Sequence, residues 1–286
     1  MNLTNYHSHS TFCDGHASLE QFVEAALAAN FSSYGFSSHA PLPYHTRWNM
    51  DATNMQAYLA EANRLKQKYA GQIELYVGLE IDYLTIDYNP AIDYFQNLPL
   101  DYRIGSIHTV ADENAILYEI DCKPQQFKNI VDNAFGGNVR RVTELYLDRL
   151  QSMIVGGGFD IVGHADKMHA LSDMIEPGLS TKKWYLNRID EILQLIATKN
   201  VIVEINTKKY LETGLFFPDV SLWNALLSLG IRVMVNSDAH YTEKINNGRV
   251  EALQKLKEVG FKSVVEIHNS KTVDVPIYVQ VKNSHL

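Results

Sequence analysis

Cysteine is scarce in this chain, with 2 among 286 residues. Two thiols cannot build a Cys-rich zinc framework, so a metal site here must be made from His, Asp and Glu. A Cys13–Cys122 bridge is the one pairing available, and nothing else points to an oxidising compartment. The expectation is two thiols in a cytoplasmic protein. The N-terminal stretch MNLTNYHSHSTF lacks a basic segment followed by an apolar one, so no signal peptide is expected. No apolar run approaches the roughly 18 residues needed to span a bilayer, which excludes a membrane-spanning helix as a reading. Basic residues are the minority, 25 Lys+Arg against 33 Asp+Glu, for a net charge of −8. That balance argues against a nucleic-acid binder held by a basic surface, though not against a local basic pocket for a small phosphate. No Gly-x-x-x-x-Gly-Lys occurs, and no Gly-x-Gly-x-x-Gly follows a strand, so the phosphate-cradling loops of kinases and dinucleotide enzymes are missing. Linkers, repeats and low-complexity tracts are also absent, and one domain over residues 1–286 is expected.

What is present is an ordinary globular composition, 46% hydrophobic and 20% charged, long enough to bury a core without disulfides. Short runs dense in Ile, Val and Tyr predict strands near 4–9, 34–38, 73–80, 102–108, 160–164, 201–206 and 231–236, with a weaker one near 263–267. Helical spacing fills the intervals. Ser18 with Gln21 reads as a capping box. Apolar residues at helical spacing predict helices over 53–69, 139–155 and 180–197. Pro218 suits the first position of a helix over 220–229, and a last helix is predicted over 242–259. Seven or eight strand–helix repeats imply parallel strands covered by helices, either as a closed barrel or as an open sheet.

The 11 histidines separate the two. Seven of them (His7, His9, His16, His39, His108, His164 and His240) fall at strand ends or in the loops just after, together with Glu80, Asn206 and Asp238. His45, His169, His268 and His285 do not, and are read as loop or surface residues. In an α/β barrel the C-terminal strand ends converge on one face, whereas in an open sheet they spread along an edge. Convergence of so many metal-type residues therefore favours closure. In His7-x-His9 alternation along a strand turns both imidazoles to one side. Glu80 ends an apolar strand, where a carboxylate is costly unless paired or metal-bound. The candidate ligands outnumber the three or four that one zinc takes, which implies two or three divalent ions, Zn, Fe or Mn. Such a cluster suits metal-assisted hydrolysis of a phosphoryl group.

Taken in order, His7-Ser-His9, Cys13-Asp14-Gly-His16, Ser38-His39-Ala-Pro41, Gly78-Leu-Glu80, Gly105-Ser-Ile-His108, Gly163-His164 and Asn236-Ser-Asp238-Ala-His240 resemble the polymerase and histidinol phosphatase (PHP) superfamily. His39-Ala-Pro-Leu-Pro43 and Glu204-Ile-Asn-Thr207 look like its stand-alone histidinol-phosphate phosphatases. The resemblance implies a distorted (β/α)7 barrel, TIM-barrel-like, with a trinuclear site at the C-terminal strand ends. By that carry-over His7, His9, Glu80 and Asp238 hold one metal; Glu80, His108 and His164 a second; and His39, His240 and a loop residue the third. Asp14 and His16 both offer themselves for that last place, with His16 slightly favoured and Asp14 kept as a ligand or its partner. The implied reaction is hydrolysis of L-histidinol phosphate by a metal-bridging hydroxide, with Asp238, His240 and Glu80 as the catalytic set. Lys208, Lys209 and Arg47 are candidates for the phosphate. Other readings are another small phosphomonoester, a nucleic-acid end, an amidohydrolase-like hydrolase and a non-catalytic metal binder; the net charge weighs against nucleic acid. Oligomeric state is not legible.

Overall fold

The computed structural model describes residues 2–278, so His285 and the two extremes of the expected domain lie outside the described residues. Seven strands form one sheet: β1 (Thr4–Asn5), β2 (Ser33–Phe36), β3 (Glu74–Asp82), β4 (Tyr102–Ser106), β5 (Ile161–Val162), β6 (Ile202–Asn206) and β7 (Val233–Asn236). Each pairs in parallel with the next in chain order. Past the ends of β1 and β7 a parallel bridge joins Ser8 to Ala239, with His9 N donating to Ala239 O at 2.8 Å and Ala239 N to His7 O at 3.2 Å. The sheet is therefore a nearly closed barrel of seven parallel strands, as expected.

β1 and β5 are shorter than expected for one physical reason: polar side chains take over from the backbone ladder. Asn236 Oδ1 accepts from Tyr6 N at 2.8 Å, Asn5 Oδ1 from Ser237 N at 2.8 Å, and Glu204 Oε2 from His164 N at 3.0 Å. Amide and carboxylate side chains hold the chain there in place of the ladder.

An aromatic layer fills the bottom of the barrel: Tyr6, Tyr76 and Tyr102 pack with Ile104, Ile161 and Met234. Tyr102 Oη lies 2.7 Å from Tyr6 O and 2.9 Å from Phe36 O. Its ring fits because Gly35 and Gly78 carry no side chain; a Cβ on either would come within 2.4 or 2.5 Å of it. The weak strand near 263–267 does not enter the barrel. It forms an antiparallel hairpin, Ser263–His268 with Lys271–Pro276, and places Val265 and Ile267 under the aromatic layer, with Ile267 N donating to Tyr6 Oη at 2.8 Å.

The outer helices follow the apolar spacing, and Ser18 caps Leu19–Ala28 in the expected box. Met55–Lys68, Val139–Gly156 and Lys183–Lys199 match within a few residues. Two expectations fail. Pro218 does not open a helix: Asp219 caps a turn at Val220–Leu222, and the helix runs only over Trp223–Ser228. The predicted 242–259 helix is interrupted, because Gly248 takes φ +62 and the helix restarts at Arg249. Helices Pro124–Ala134 and Met168–Ile175, and a hairpin of Thr109–Ala111 with Leu117–Glu119, were not anticipated. Among the described residues no helix is long and apolar enough to cross a membrane.

Candidate metal centre

Parallel closure brings the C-terminal strand ends to one face, and the side chains there converge on Glu80. This carboxylate is 1% exposed. Its Oε1 lies 2.9 Å from His164 Nε2 and 3.5 Å from His108 Nε2; its Oε2 lies 3.0 Å from His39 Nδ1, 3.2 Å from His7 Nε2 and 3.4 Å from His9 Nε2. Asp238 Oδ1 sits 3.1 Å from His9 Nε2, 3.9 Å from His7 Nε2 and 3.5 Å from His240 Nδ1. Asp14 Oδ2 is 3.3 Å from His240 Nε2, and Asp14 Oδ1 is 3.8 Å from His9 Nδ1 and 3.9 Å from His39 Nε2. His9, Asp14, His39 and His240 each offer one ligand atom within 4.8 Å of the others; so do His7, His9 and Glu80, and His39, Glu80 and His108.

Nine of the ten expected metal residues thus meet, and His16 does not. Its ring is exposed and stacks on Tyr241 at 4.2 Å, along the wall of a neighbouring cavity. Of the two loop candidates, His16 slightly favoured and Asp14 the other, the structure places Asp14 with the cluster, through the turn that follows β1. Cys13 N and Gly15 N both donate to Ser10 O, which folds Asp14 back over His9, while His16 N is tied to His240 O and its ring points outward. At Gly15 a Cβ would strike the backbone of His9 at 2.2 Å, so only glycine permits that fold.

The imidazoles are held from behind. His7 Nδ1 donates to Glu204 Oε1 at 2.6 Å, and His108 Nδ1 to Asp82 at 3.0 Å. This fixes which ring nitrogen faces the centre, as in metal sites whose histidines are oriented by carboxylates. His164 and Asp238 take φ of +27 and +48, sparsely populated for side-chain-bearing residues and common where a fold over-determines a site.

The electrostatics are crowded. Burial disfavours charge on His7, but Glu204, Glu80 and Asp238 around it push its pKa well above the ordinary value. Burial, with His240 and His39 close by, pushes His9 well below. Burial also opposes ionisation of Glu80, yet His7, His108 and His39 hold its carboxyl well below the usual range. Rings as close as 4.2 Å (His9 to His240) and 4.3 Å (His9 to His39) make a positive charge on His9 costly. Five buried atoms, His7 Nε2, His9 Nε2, His39 Nδ1, His164 Nδ1 and Asp14 Oδ1, have no hydrogen-bond partner among the described residues. Buried polar atoms are normally satisfied. Apart from His164 Nδ1, whose ring turns Nε2 to Glu80, these atoms lie in the cluster around Glu80 and Asp238, and imidazole nitrogens with carboxylate oxygens are the donor set that divalent cations take.

Lys208, of the phosphate candidates, reaches the centre: its Nζ lies 3.1 Å from Asp238 Oδ1. Lys209 pairs with Glu212 at 2.9 Å on the rim, and Arg47 is exposed at the mouth of the same cavity. Sequence reasoning missed Glu204 and Asp82 as orienting groups. The signals were there: Glu204 interrupts an apolar strand, and Glu80-x-Asp82 repeats the same-side spacing of His7-x-His9. It also misread His169, which is buried, with Nδ1 donating to Asp166 O at 2.9 Å. His268 is half-buried between Glu74 and Glu266, and His45 is exposed as expected.

Comparison with known proteins gives a consistent picture. A family profile described as PHP domain matches residues 5–208. A histidinol-phosphatase of Bacillus subtilis is 26% identical over 253 residues, covering 82% of this chain and 92% of its own. A Listeria monocytogenes structure superposes with a TM-score of 0.77 at 21% identity, over 87% of this chain and 99% of that one. A Lactococcus lactis histidinol phosphate phosphatase, solved with zinc, L-histidinol and phosphate, gives 0.65 at 19% identity, over 94% and 98%.

Proposed function

Because the chain belongs to the PHP domain family, we propose that it is a divalent-metal-dependent phosphomonoesterase that hydrolyses L-histidinol phosphate to L-histidinol and phosphate. The observation that carries the hydrolase reading is Glu80, one buried carboxylate shared by five imidazoles at 2.9–3.5 Å. The substrate is supported by the naming of the Bacillus relative and by the ligands of the Lactococcus structure.

Two or three ions are proposed, with Zn, Fe and Mn all compatible with imidazole and carboxylate donors. His7, His9, Glu80 and Asp238 would hold one, Glu80, His108 and His164 the next, and Asp14, His39 and His240 the third. Divalent cations bound there would supply Lewis acidity, offsetting phosphoryl charge and lowering the pKa of water. The chain's own groups do the rest. Glu204 and Asp82 keep the Nε2 atoms of His7 and His108 turned inward. Lys208 is held protonated: burial opposes the charge, but Asp238, Asp121 and Asp14 raise its pKa. Its ammonium therefore offers donors to a phosphate oxygen beside Asp238, while Lys209 and Arg47 add positive charge at the mouth.

The test is phosphate release from histidinol phosphate by the metal-loaded protein. Activity should disappear on chelation, return on adding back the metal, and fall by roughly a thousandfold or more in His9→Ala. Turnover that survives complete metal removal would sink the reading.

A further inference from the structure

The reading above gives the phosphate its partners but leaves the organic end of the substrate without one. Two cavities open on the centre and meet at Asp14, Lys208 and Lys209. One, of about 570 Å³, is ringed by Arg47, Lys208, Lys209 and Lys244 and suits a phosphate. The other, of about 450 Å³, is walled by Ile107, Ile120, Met168, Leu171, Met174 and Phe217, and Asp121 and Lys167 sit among these apolar groups. An apolar chamber with a few placed polar groups is the usual form of a small-molecule site.

The acids lining the two cavities among the described residues are Asp14, Asp121, Glu212 and Asp238. Asp14 and Asp238 belong to the metal centre. Glu212 already accepts from Lys209 at 2.9 Å and from Lys244 at 3.1 Å, within the basic cavity. Asp121 differs. Its Oδ2 accepts from Lys167, while Oδ1 has no bond among the described residues, and the side chain keeps 34% of its surface exposed. It is a carboxylate with one oxygen free, inside the apolar cavity, close to the centre.

We propose that Asp121 is a specificity-determining residue, whose free oxygen binds an ammonium group on the alcohol portion of the phosphomonoester while the apolar wall holds that portion's ring. This rests on the phosphomonoesterase reading and deepens it. A charge-assisted bond in a partly dried cavity is among the stronger polar contacts available, and an analogue lacking the amine leaves the carboxylate half-paired.

The test compares kcat/KM of the metal-loaded protein for histidinol phosphate with that for its deamino analogue, imidazolylpropyl phosphate. The protein should prefer the amine by about tenfold or more. Asp121→Asn, which keeps the shape, should cancel that preference mainly through KM, and Asp121→Glu should keep most of it. A preference that persists in Asp121→Asn overturns the proposal, as does an equal loss on both substrates. If neither compound is turned over but para-nitrophenyl phosphate is, the histidinol phosphate reading fails. The same ratio is then taken between phosphoethanolamine and ethyl phosphate: an amine preference abolished by Asp121→Asn supports the Asp121 assignment, and its absence overturns it.

Discussion

Glu204 is fully buried and accepts four bonds: from His7 Nδ1 at 2.6 Å, His164 N at 3.0 Å, Asn206 Nδ2 at 3.0 Å and Asn236 Nδ2 at 3.1 Å. All four partners are donors. Only a group that accepts at both oxygens fits, and a carboxylate is that group. Burial alone would raise its pKa, but His7 and His164 outweigh that and lower it. Glu204→Gln changes one oxygen into a donor facing a donor. One of His7 or the His164 backbone then loses its partner, and the imidazole it sets loses its aim. The expected result is a folded protein whose metal affinity falls roughly 10–100-fold, the range for losing a carboxylate behind a ligating histidine. Titration against a competing chelator measures this, with circular dichroism to check the fold. An unaltered affinity would show that Glu204 only fills the core. Asn206, read from the sequence as a strand-end polar residue, has its place here too: its amide joins Glu204 to Asp238.

Elements are positioned by the same means. Helix Met168–Ile175 follows β5 and carries His169, 6% exposed, whose Nδ1 lies 3.3 Å from Asp166 Oδ2. Asp166 Oδ2 in turn accepts from Asp219 N at 3.0 Å, so the pair ties this helix to the turn that precedes Trp223–Ser228. Burial disfavours the imidazolium, but Asp166 prevails and the pKa is pushed up to about 9. A folded pKa above the unfolded 6.5 gives stability that is fully present below about pH 6.5 and lost as pH rises through about 9. Urea unfolding at about pH 6 and about pH 9.5 should therefore show a loss that exceeds the loss in His169→Asn by about 2–3 kcal/mol, the remainder coming from other raised histidines such as His108. Equal pH dependence in the two proteins contradicts the pairing. This contact also marks what could be read in advance. The barrel was legible because buried parallel strands leave dense apolar runs, and the candidate ligands because metal-type residues end those runs. Strand lengths were not, because Asn5, Asn236 and Glu204 replace backbone bonds with side-chain bonds. His169 was not, because a histidine at the start of a helix of about two turns looks like a loop residue. The choice of Asp14 over His16 depended on a turn folded back at Gly15, which spacing alone does not encode.

At the scale of the whole molecule, the centre sits across the barrel's weakest line. β1 and β7 have no ladder of their own; the seam is the single Ser8–Ala239 bridge, preceded along the strands by the side-chain amides of Asn5 and Asn236. Candidate ligands flank both edges of that seam, His7 and His9 on one and Asp238 and His240 on the other, and Glu80 reaches them from the opposite wall. A cation held by both edges closes the barrel as a staple would, because it binds the folded chain and has no preformed site in the unfolded one. At a free metal concentration of about 100 times Kd the gain is about 2.7 kcal/mol per site. For a chain of this size that corresponds to a thermal midpoint about 5 °C or more higher. Stripping the metal should reverse the shift. It should also raise hydrogen exchange first at the amides of His9 and Ala239, which make the seam bonds, before the β3–β4 ladder responds. A midpoint indifferent to metal, or exchange that rises evenly around the barrel, would mean that the seam is closed by the aromatic floor alone and that the centre is a passenger on a barrel already shut.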